Sequence, residues 1–475
     1  MSDTPPSPSL DSLAAEITKL SGMLTNYMRT NGVPEPSFEV DSPENYGDLP
    51  PEVFRARQLL LDALMDMWFL TWGPSGGIFT FANTLLADAA VLKIMNNFDF
   101  WSAVPLDGSA SYQEISERTN LPVDAVRRVL QHALTFRVFA QTDPGDPSTS
   151  QIKHTALSAA PARSPGLRGG FKTMFDQAGG PTLILDEALS KYSAGRTEMA
   201  PGLDKSAYAL FNTSYGDDSK EDGNGGSGRC VDYWKYLESG DGEGANSKGV
   251  DRQKAFSQFM NFVTTLFGHG NAVADSYDWN ELGSVTVVDV GGSGGHNAIP
   301  LAQKFSNLRV VVEDLPKVQA AFDEAIPEDL RKENRVTFLG HDFFTPQPVH
   351  GADVYVFKKV FHDWPDADVV RILRAQTAAL HAGARILIIE NVVDRSGINS
   401  SSSSSNTPPA PPVPRSLQRL VTAIDLRMMA LYNARERSVD DFRRVLRDAD
   451  PRFELTSVKT MPKSELGVFE VIWRG

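Results

Sequence analysis

The run Val287-Val288-Asp289-Val290-Gly291-Gly292-Ser293-Gly294-Gly295-His296 constrains this chain more than any other stretch. Its apolar half reads as a strand, and the glycines that follow let the backbone turn sharply and let a ligand approach with no Cβ in the way. From 283 onward, short apolar runs at 285–290, 309–313, 336–339, 354–358 and 385–390 alternate with helical patterns near 298–305, 318–325 and 367–380. That alternation is the signature of a mostly parallel α/β sheet covered on both faces, Rossmann-like in layout. Helices near 417–432 and 439–447 follow, and two final runs, 453–458 and 468–473, are expected to pair as an antiparallel hairpin at the sheet edge, making seven strands.

The first part of the chain reads differently. Residues 1–50 are rich in Pro and Ser and are expected to be largely mobile around one helix near 10–28, where Leu13, Ile17, Leu20 and Leu24 recur at helical spacing. The stretch 51–175 is almost wholly helical in pattern. Within it, 67–87 is uncharged and long enough to span a membrane, but Gly73-Pro74-Ser75-Gly76-Gly77 interrupts it, so it reads as two buried helices and a turn, with no membrane role. Ile115, then Asn120-Leu121-Pro122, then Val123, Val126, Leu130, Ala133 and Leu134 mark a helix-turn-helix over 112–140. Such units often bind DNA, which requires a basic stripe. Here Asp124 offsets Arg127 and Arg128, and the chain carries 46 Lys+Arg against 60 Asp+Glu, a net charge of −14. Packing or subunit association is therefore favoured over nucleic acid. A single cysteine, Cys230, and an N-terminus without a basic start and apolar run point to a cytoplasmic protein. The expected domains are a helical one over 1–210 and an α/β one over 211–475, with solvated inserts at 217–228, 239–249 and 399–415.

Four motifs carry chemistry. The glycine run does not match G-x-G-x-x-G, since Asn297 stands at the third glycine position counted from Gly292, and Asp289 would sit poorly beside a pyrophosphate. An NAD-linked oxidoreductase is disfavoured accordingly. Val310-Val311-Val312-Glu313-Asp314-Leu315-Pro316 ends a second strand in acids, placing a carboxylate to accept both hydroxyl protons of a ribose, unless Asp314 only caps a helix. Gly340-His341-Asp342-Phe343-Phe344 can offer a carboxylate and a ring to an adenine. Together these strand ends argue for an adenosine cofactor that is not a dinucleotide. Fourth, His362 in Phe357-Lys358-Lys359-Val360-Phe361-His362-Asp363-Trp364 suits proton transfer near neutral pH, and Glu390 and Glu436 could hold one imidazole from either side. The eight histidines show no metal-ligand spacing, and no metal is expected.

In order along the chain, Asp-Val-Gly-Gly, Asp-Leu-Pro, Gly-His-Asp-Phe, Phe-Lys-x-x-x-His-Asp-Trp, Glu390 and Arg-Glu-Arg-Ser resemble the plant-type S-adenosylmethionine-dependent O-methyltransferases, such as caffeic acid O-methyltransferase. The inserts and motif wording are most similar to fungal members acting on secondary metabolites. The resemblance spans 112 to the C-terminus and implies a winged-helix-like N-terminal dimerisation domain, a homodimer, and a class I methyltransferase domain. It implies that Gly291 and Gly292 contact the methionine part of S-adenosylmethionine, that Asp314 takes the ribose, that Asp342 and Phe343 flank the adenine, and that Lys358 lines the pocket; Asp289 and Leu315 are expected among the cofactor-binding residues as well. His362 would be the general base toward a hydroxyl of an aromatic small molecule, flanked by Glu390 and Glu436. Ser293 departs from the family, whose plant members commonly have glycine there. A cofactor-sensing regulator would be expected to have lost His362 or its glutamates; N- or C-methylation on the same fold stays open.

Overall fold

The computed structural model describes residues 7–146, 150–215, 232–238, 252–392, 412–461 and 464–475. The inserts at 217–228 and 239–249 lie outside these residues, as does 399–415 except for its last four. The chain divides into two compact units: Met1–Gly180 with Leu237–Leu266 and Pro414–Ser416, and Pro181–Tyr236 with Phe267–Val413 and Leu417–Gly475.

In the first unit, α1 (Leu10–Asn31) starts at a capping box on Ser9 and ends at Gly32 in the left-handed region. Helix α2 (Pro51–Asn97) is long and apolar enough to cross a membrane by length and composition, but it breaks at Gly73 (φ 71°, ψ 169°), next to Pro74. Here an expectation is corrected. The segment 67–87 is not buried: Trp72, Ile78, Phe79, Leu85 and Leu86 are all exposed. An apolar helix pattern reports that a face avoids water, and it does not say whether its own chain covers that face.

The helix-turn-helix is present. After β1 (Ser109–Ala110), Ser111 and Glu114 form a capping box for α3 (Tyr112–Thr119), Asn120 reverses the chain at φ 56°, and α4 (Val123–Thr135) buries Val126, Leu130 and Ala133. These pack with Ile115, Trp101 and Phe139 in one apolar cluster. Two further strands, β2 (Phe139–Gln141) and β3 (Ile152–His154), join β1 in an antiparallel sheet of order β1-β3-β2. This small wing escaped the helical reading because two or three residues are too short to show a period of two.

The second unit is built on a seven-stranded sheet of order β6-β5-β4-β7-β8-β10-β9. Its strands are β4 (Val285–Val290), β5 (Leu308–Asp314), β6 (Val336–Gly340), β7 (Val354–Lys358), β8 (Arg385–Asn391), β9 (Phe453–Thr460) and β10 (Leu466–Trp473). Strands β4 to β8 pair in parallel; β10 runs antiparallel to both β8 and β9. The final strand therefore inserts between β8 and β9, and β9 forms the edge. Helices α5 (Ala298–Lys304), α6 (Asp366–Gln376), α7 (Arg415–Tyr432) and α8 (Val439–Ala449) connect or follow these strands. Two apolar clusters, one on each set of alternating strand residues, contain Val287, Val310 and Val354 on one side and Val288, Tyr355 and Ile388 on the other. Apolar burial on both faces is what makes these strands read as continuous apolar runs.

Candidate active site

The strand order reverses direction of growth between β4 and β7, and the crevice outside their carboxyl ends is where open α/β sheets take ligands. The glycine run turns there. The N–H groups of Gly291 and Gly292 both donate to the Glu313 carbonyl, at 2.8 and 3.0 Å, tying the turn to β5. Gly291 has φ 73°, and a Cβ on Gly292 would lie 2.6 Å from the Asp289 carboxylate, so neither position accepts a larger residue without a shift. Ser293 holds φ 51°, the left-handed conformation a glycine adopts freely.

The side chains around this turn form a polar cradle. Asp289 is 3% exposed, and its Oδ2 has no hydrogen-bond partner among the described residues. Burial pushes its carboxyl up to about 7, against the pull of the Lys358 charge. Lys358 donates to Asn297 Oδ1 at 2.8 Å, and burial brings its ammonium down to about 8. His296 is held neutral by burial, at about 4, beside that ammonium. Asp314 accepts from the backbone N–H of Ser293 (2.9 Å) and of Leu315 (2.7 Å); burial raises it, and those two bonds oppose the rise. Asp342 accepts the Phe344 N–H at 3.0 Å in its own turn, and Phe343 lies edge-on to Trp364 with centroids 5.9 Å apart. A buried carboxyl group with one oxygen unpaired among the described residues, beside a glycine turn with no room for a Cβ, fits a ligand carrying a cationic group, and Asp314 at the end of β5 fits its hydroxyls. His296 and Asn297 were not singled out in the sequence; their signal was their place directly after the glycines.

The second cluster lies just past β7. Glu436 is 4% exposed, and its Oε1 accepts from three donors: His362 Nδ1 at 2.8 Å, Asn391 Nδ2 at 2.9 Å and Lys359 Nζ at 3.3 Å. Its own N–H donates to Asp425 Oδ1 at 2.7 Å. Burial disfavours its charge, but Lys359 and His362 more than offset that and hold it at about 2. A ring nitrogen facing an ionised carboxylate carries the proton, so the network assigns hydrogen to Nδ1; in the neutral ring the lone pair is then on Nε2, which lies 3.4 Å from Asp363 Oδ1.

Glu390 does something other than expected. It was to hold the imidazole from the opposite side; instead its Oε1 accepts the backbone N–H groups of Phe361 (2.9 Å) and His362 (3.3 Å). As a strand-end residue it reaches the turn's amides, leaving the ring to Glu436. Burial raises Glu390. Burial also works against an imidazolium at His362, yet Asp363, Glu436 and Glu390 outweigh burial and Lys359, and the ring is shifted above its ordinary value. Arg437, 1% exposed, donates to the Phe361 and Trp364 carbonyls (2.6 and 2.7 Å) and to Asp366 Oδ1 (2.7 Å), clamping the turn that carries His362. His362, Glu390 and Glu436 bring donor atoms within 4.8 Å of one another, and the Lys359 ammonium lies 3.3 Å from Glu436 Oε1. Beside the cluster, Trp364 stacks on Trp234 (6.2 Å, 17°), which stacks on Tyr432 (5.1 Å, 26°).

Comparison with known proteins shows the family. An O-methyltransferase domain family matches residues 243–450. O-methyltransferase lcsG of Purpureocillium lilacinum is 37% identical over 483 residues, covering 100% of this chain and 97% of its own. The grayanic acid biosynthesis cluster O-methyltransferase of Cladonia grayi is 31% identical over 475 residues, covering 97% and 89%. The crystal structure of OxaC has a TM-score of 0.69 at 22% identity, with 98% of each chain covered, and shares the fold.

If the Asp314 carboxylate binds a ribose as well as the loop amides, Asp314→Ala weakens S-adenosylhomocysteine binding by about 1.5 to 3 kcal/mol, the range for hydrogen bonds to a charged group. Calorimetry measures it directly. Unchanged affinity would reduce Asp314 to a brace for the Ser293 turn.

Proposed function

The chain belongs to the plant-type S-adenosylmethionine-dependent O-methyltransferases of secondary metabolism, and from that membership we propose that it methylates a phenolic hydroxyl of an aromatic small molecule, with His362 as general base. The observation that supports this reading is the 2.8 Å contact between His362 Nδ1 and Glu436 Oε1, which makes Nε2 the proton acceptor of the neutral ring.

S-adenosylmethionine supplies an electrophilic methyl group on a sulfonium. In this reading Asp289, Gly291, Gly292 and Lys358 hold its methionine part, Asp314 and Leu315 its ribose, and Asp342 and Phe343 its adenine. A phenol is a weak nucleophile until it loses its proton. In the neutral ring Nε2 would take that proton from the acceptor's hydroxyl, and the imidazolium so formed would be stabilised by the ionised Glu436. Glu390 and Arg437 keep the turn in place, and the rest of the rate enhancement comes from alignment.

His362→Gln is expected to lower kcat/KM by ~10²- to 10⁴-fold while S-adenosylhomocysteine binding stays as in the wild type. The pH dependence follows from the sign of the shift. Only the neutral ring is a base, and its folded-state value is raised above the ordinary ~6.5. Wild-type kcat/KM therefore climbs as pH rises through and beyond neutrality, and that limb is missing from the residual activity of His362→Gln. Full turnover in the variant at neutral pH, with labelled cofactor and a panel of phenols, would remove His362 from the mechanism.

The helical part read over 1–210 is proposed to form a cytoplasmic homodimer. Support comes from α2, where Ile78 and Phe79 are 63% and 70% exposed, an apolar face larger than a monomer's surface helix carries at rest in water. Light scattering is expected to give twice the chain mass, falling to one chain mass in Ile78→Asp/Phe79→Asp. A wild-type monomer would contradict it.

A further inference from the structure

Lys359 has no part in the mechanism above, yet its backbone is strained. It sits in the left-handed region at φ 55°, uncommon and costly for a residue with a Cβ, and its N–H donates to the Ile389 carbonyl of β8 at 3.0 Å, so the sheet fixes the turn. Strain of this kind at a site calls for a functional reason. With the backbone so turned, the mostly buried ammonium lies 3.3 Å from Glu436 Oε1, the same oxygen that binds His362 Nδ1.

The charges around the ring define the problem this contact solves. On its own turn His362 meets Asp363; from the loop after α7 it meets Glu436; from the end of β8 it meets Glu390. Asp425 of α7 faces Glu436 as a further acid, and Glu465 faces Lys359. Against these, Arg427 of α7 acts on Glu436 and Asp363, and Arg437 acts on Glu390. Of these cations, Lys359 is the one in direct contact with the carboxylate that grips the ring. Three carboxylates around one imidazole would hold it as imidazolium, and an imidazolium has no lone pair for an acceptor's proton.

We propose that Lys359 is a positioning residue that neutralises part of this carboxylate field, so that the His362 ring becomes neutral, with a lone pair on Nε2, more readily than the three carboxylates alone would let it, while Glu436 stays ionised and fixed on Nδ1. The proposal rests on the reading of His362 as the base. It separates the two tasks of Glu436: orienting the ring, which needs its charge, and stabilising the imidazolium only after proton transfer, which needs that charge partly offset beforehand.

The test titrates His362 directly in the full-length chain with S-adenosylhomocysteine bound. Protein labelled with 13C at histidine Cε1 carries eight histidines, and the His362 resonance is the one lost in His362→Gln. Lys359→Met, with Lys359→Gln as the second neutral variant, is expected to raise the His362 titration midpoint by about one unit or more, a tenfold shift in the protonation equilibrium. In turnover, kcat/KM near pH 6.5 is expected to fall about tenfold and to recover at higher pH, while Lys359→Arg restores both readouts. A midpoint unchanged in a neutral variant that binds S-adenosylhomocysteine like the wild type would overturn the proposal. So would a loss of activity equal at every pH, which is what a purely structural role produces. Failure of the methyl-transfer reading shows separately, as absence of product from the wild-type protein at any pH.

Discussion

One carboxylate oxygen organises the active region of this protein. Glu436 Oε1 receives the His362 ring, the Asn391 amide and the Lys359 ammonium, and its other oxygen has no partner among the described residues. Burying a carboxylate is costly unless it is paired, and an acid in this position keeps its charge because two cationic or ionisable donors converge on it. The scaffold around it is correspondingly over-determined. Asp425 fixes the Glu436 backbone, and Arg437 ties the turn bearing His362 to the loop bearing Glu436. Asp366 in turn is held by Arg435, Arg437 and Arg444. Loosening any of these moves the ring relative to the carboxylate that sets its tautomer.

The end of β7 links this centre to the cofactor cradle. Lys358 reaches Asn297 beside the glycine turn, whereas Lys359, one residue on, reaches Glu436 on the other side. Alternation along a strand sends successive side chains to opposite faces, and the left-handed turn at Lys359 completes the separation. Val360 then packs where a Cβ on Gly291 would stand, at 3.0 Å. Three consecutive residues therefore meet Asn297, Glu436 and Gly291 in turn.

Much of this was legible in the sequence because buried parallel strands announce themselves as apolar runs. The ends of β4 and β7 fall at Val290 and Lys358 as read, and the acids at Asp314 and Glu390 stand at strand ends as their motifs required. Other features were hidden for physical reasons. The wing strands are too short to carry a period. The apolar pattern of α2 could not distinguish a core face from an exposed one, and the insertion of β10 beside β8 depends on pairing between distant segments. Glu390 was placed correctly and given the wrong partner, since a sequence shows neither backbone amides nor their direction. Lys359 lay inside a quoted motif and stayed silent, because its meaning comes from a positive φ and from a contact with a residue 77 positions away.

The central claim is that Glu436, through its bond to Nδ1, makes His362 Nε2 the proton acceptor. Glu436→Gln tests it most directly, because the side chain keeps its shape and loses the charge that fixes the tautomer. With a phenol that the wild-type protein methylates, measured near neutral pH, kcat/KM is expected to fall ~10²- to 10⁴-fold with S-adenosylhomocysteine affinity unchanged. A variant that turns over at the wild-type rate, with its cofactor affinity intact, would contradict it.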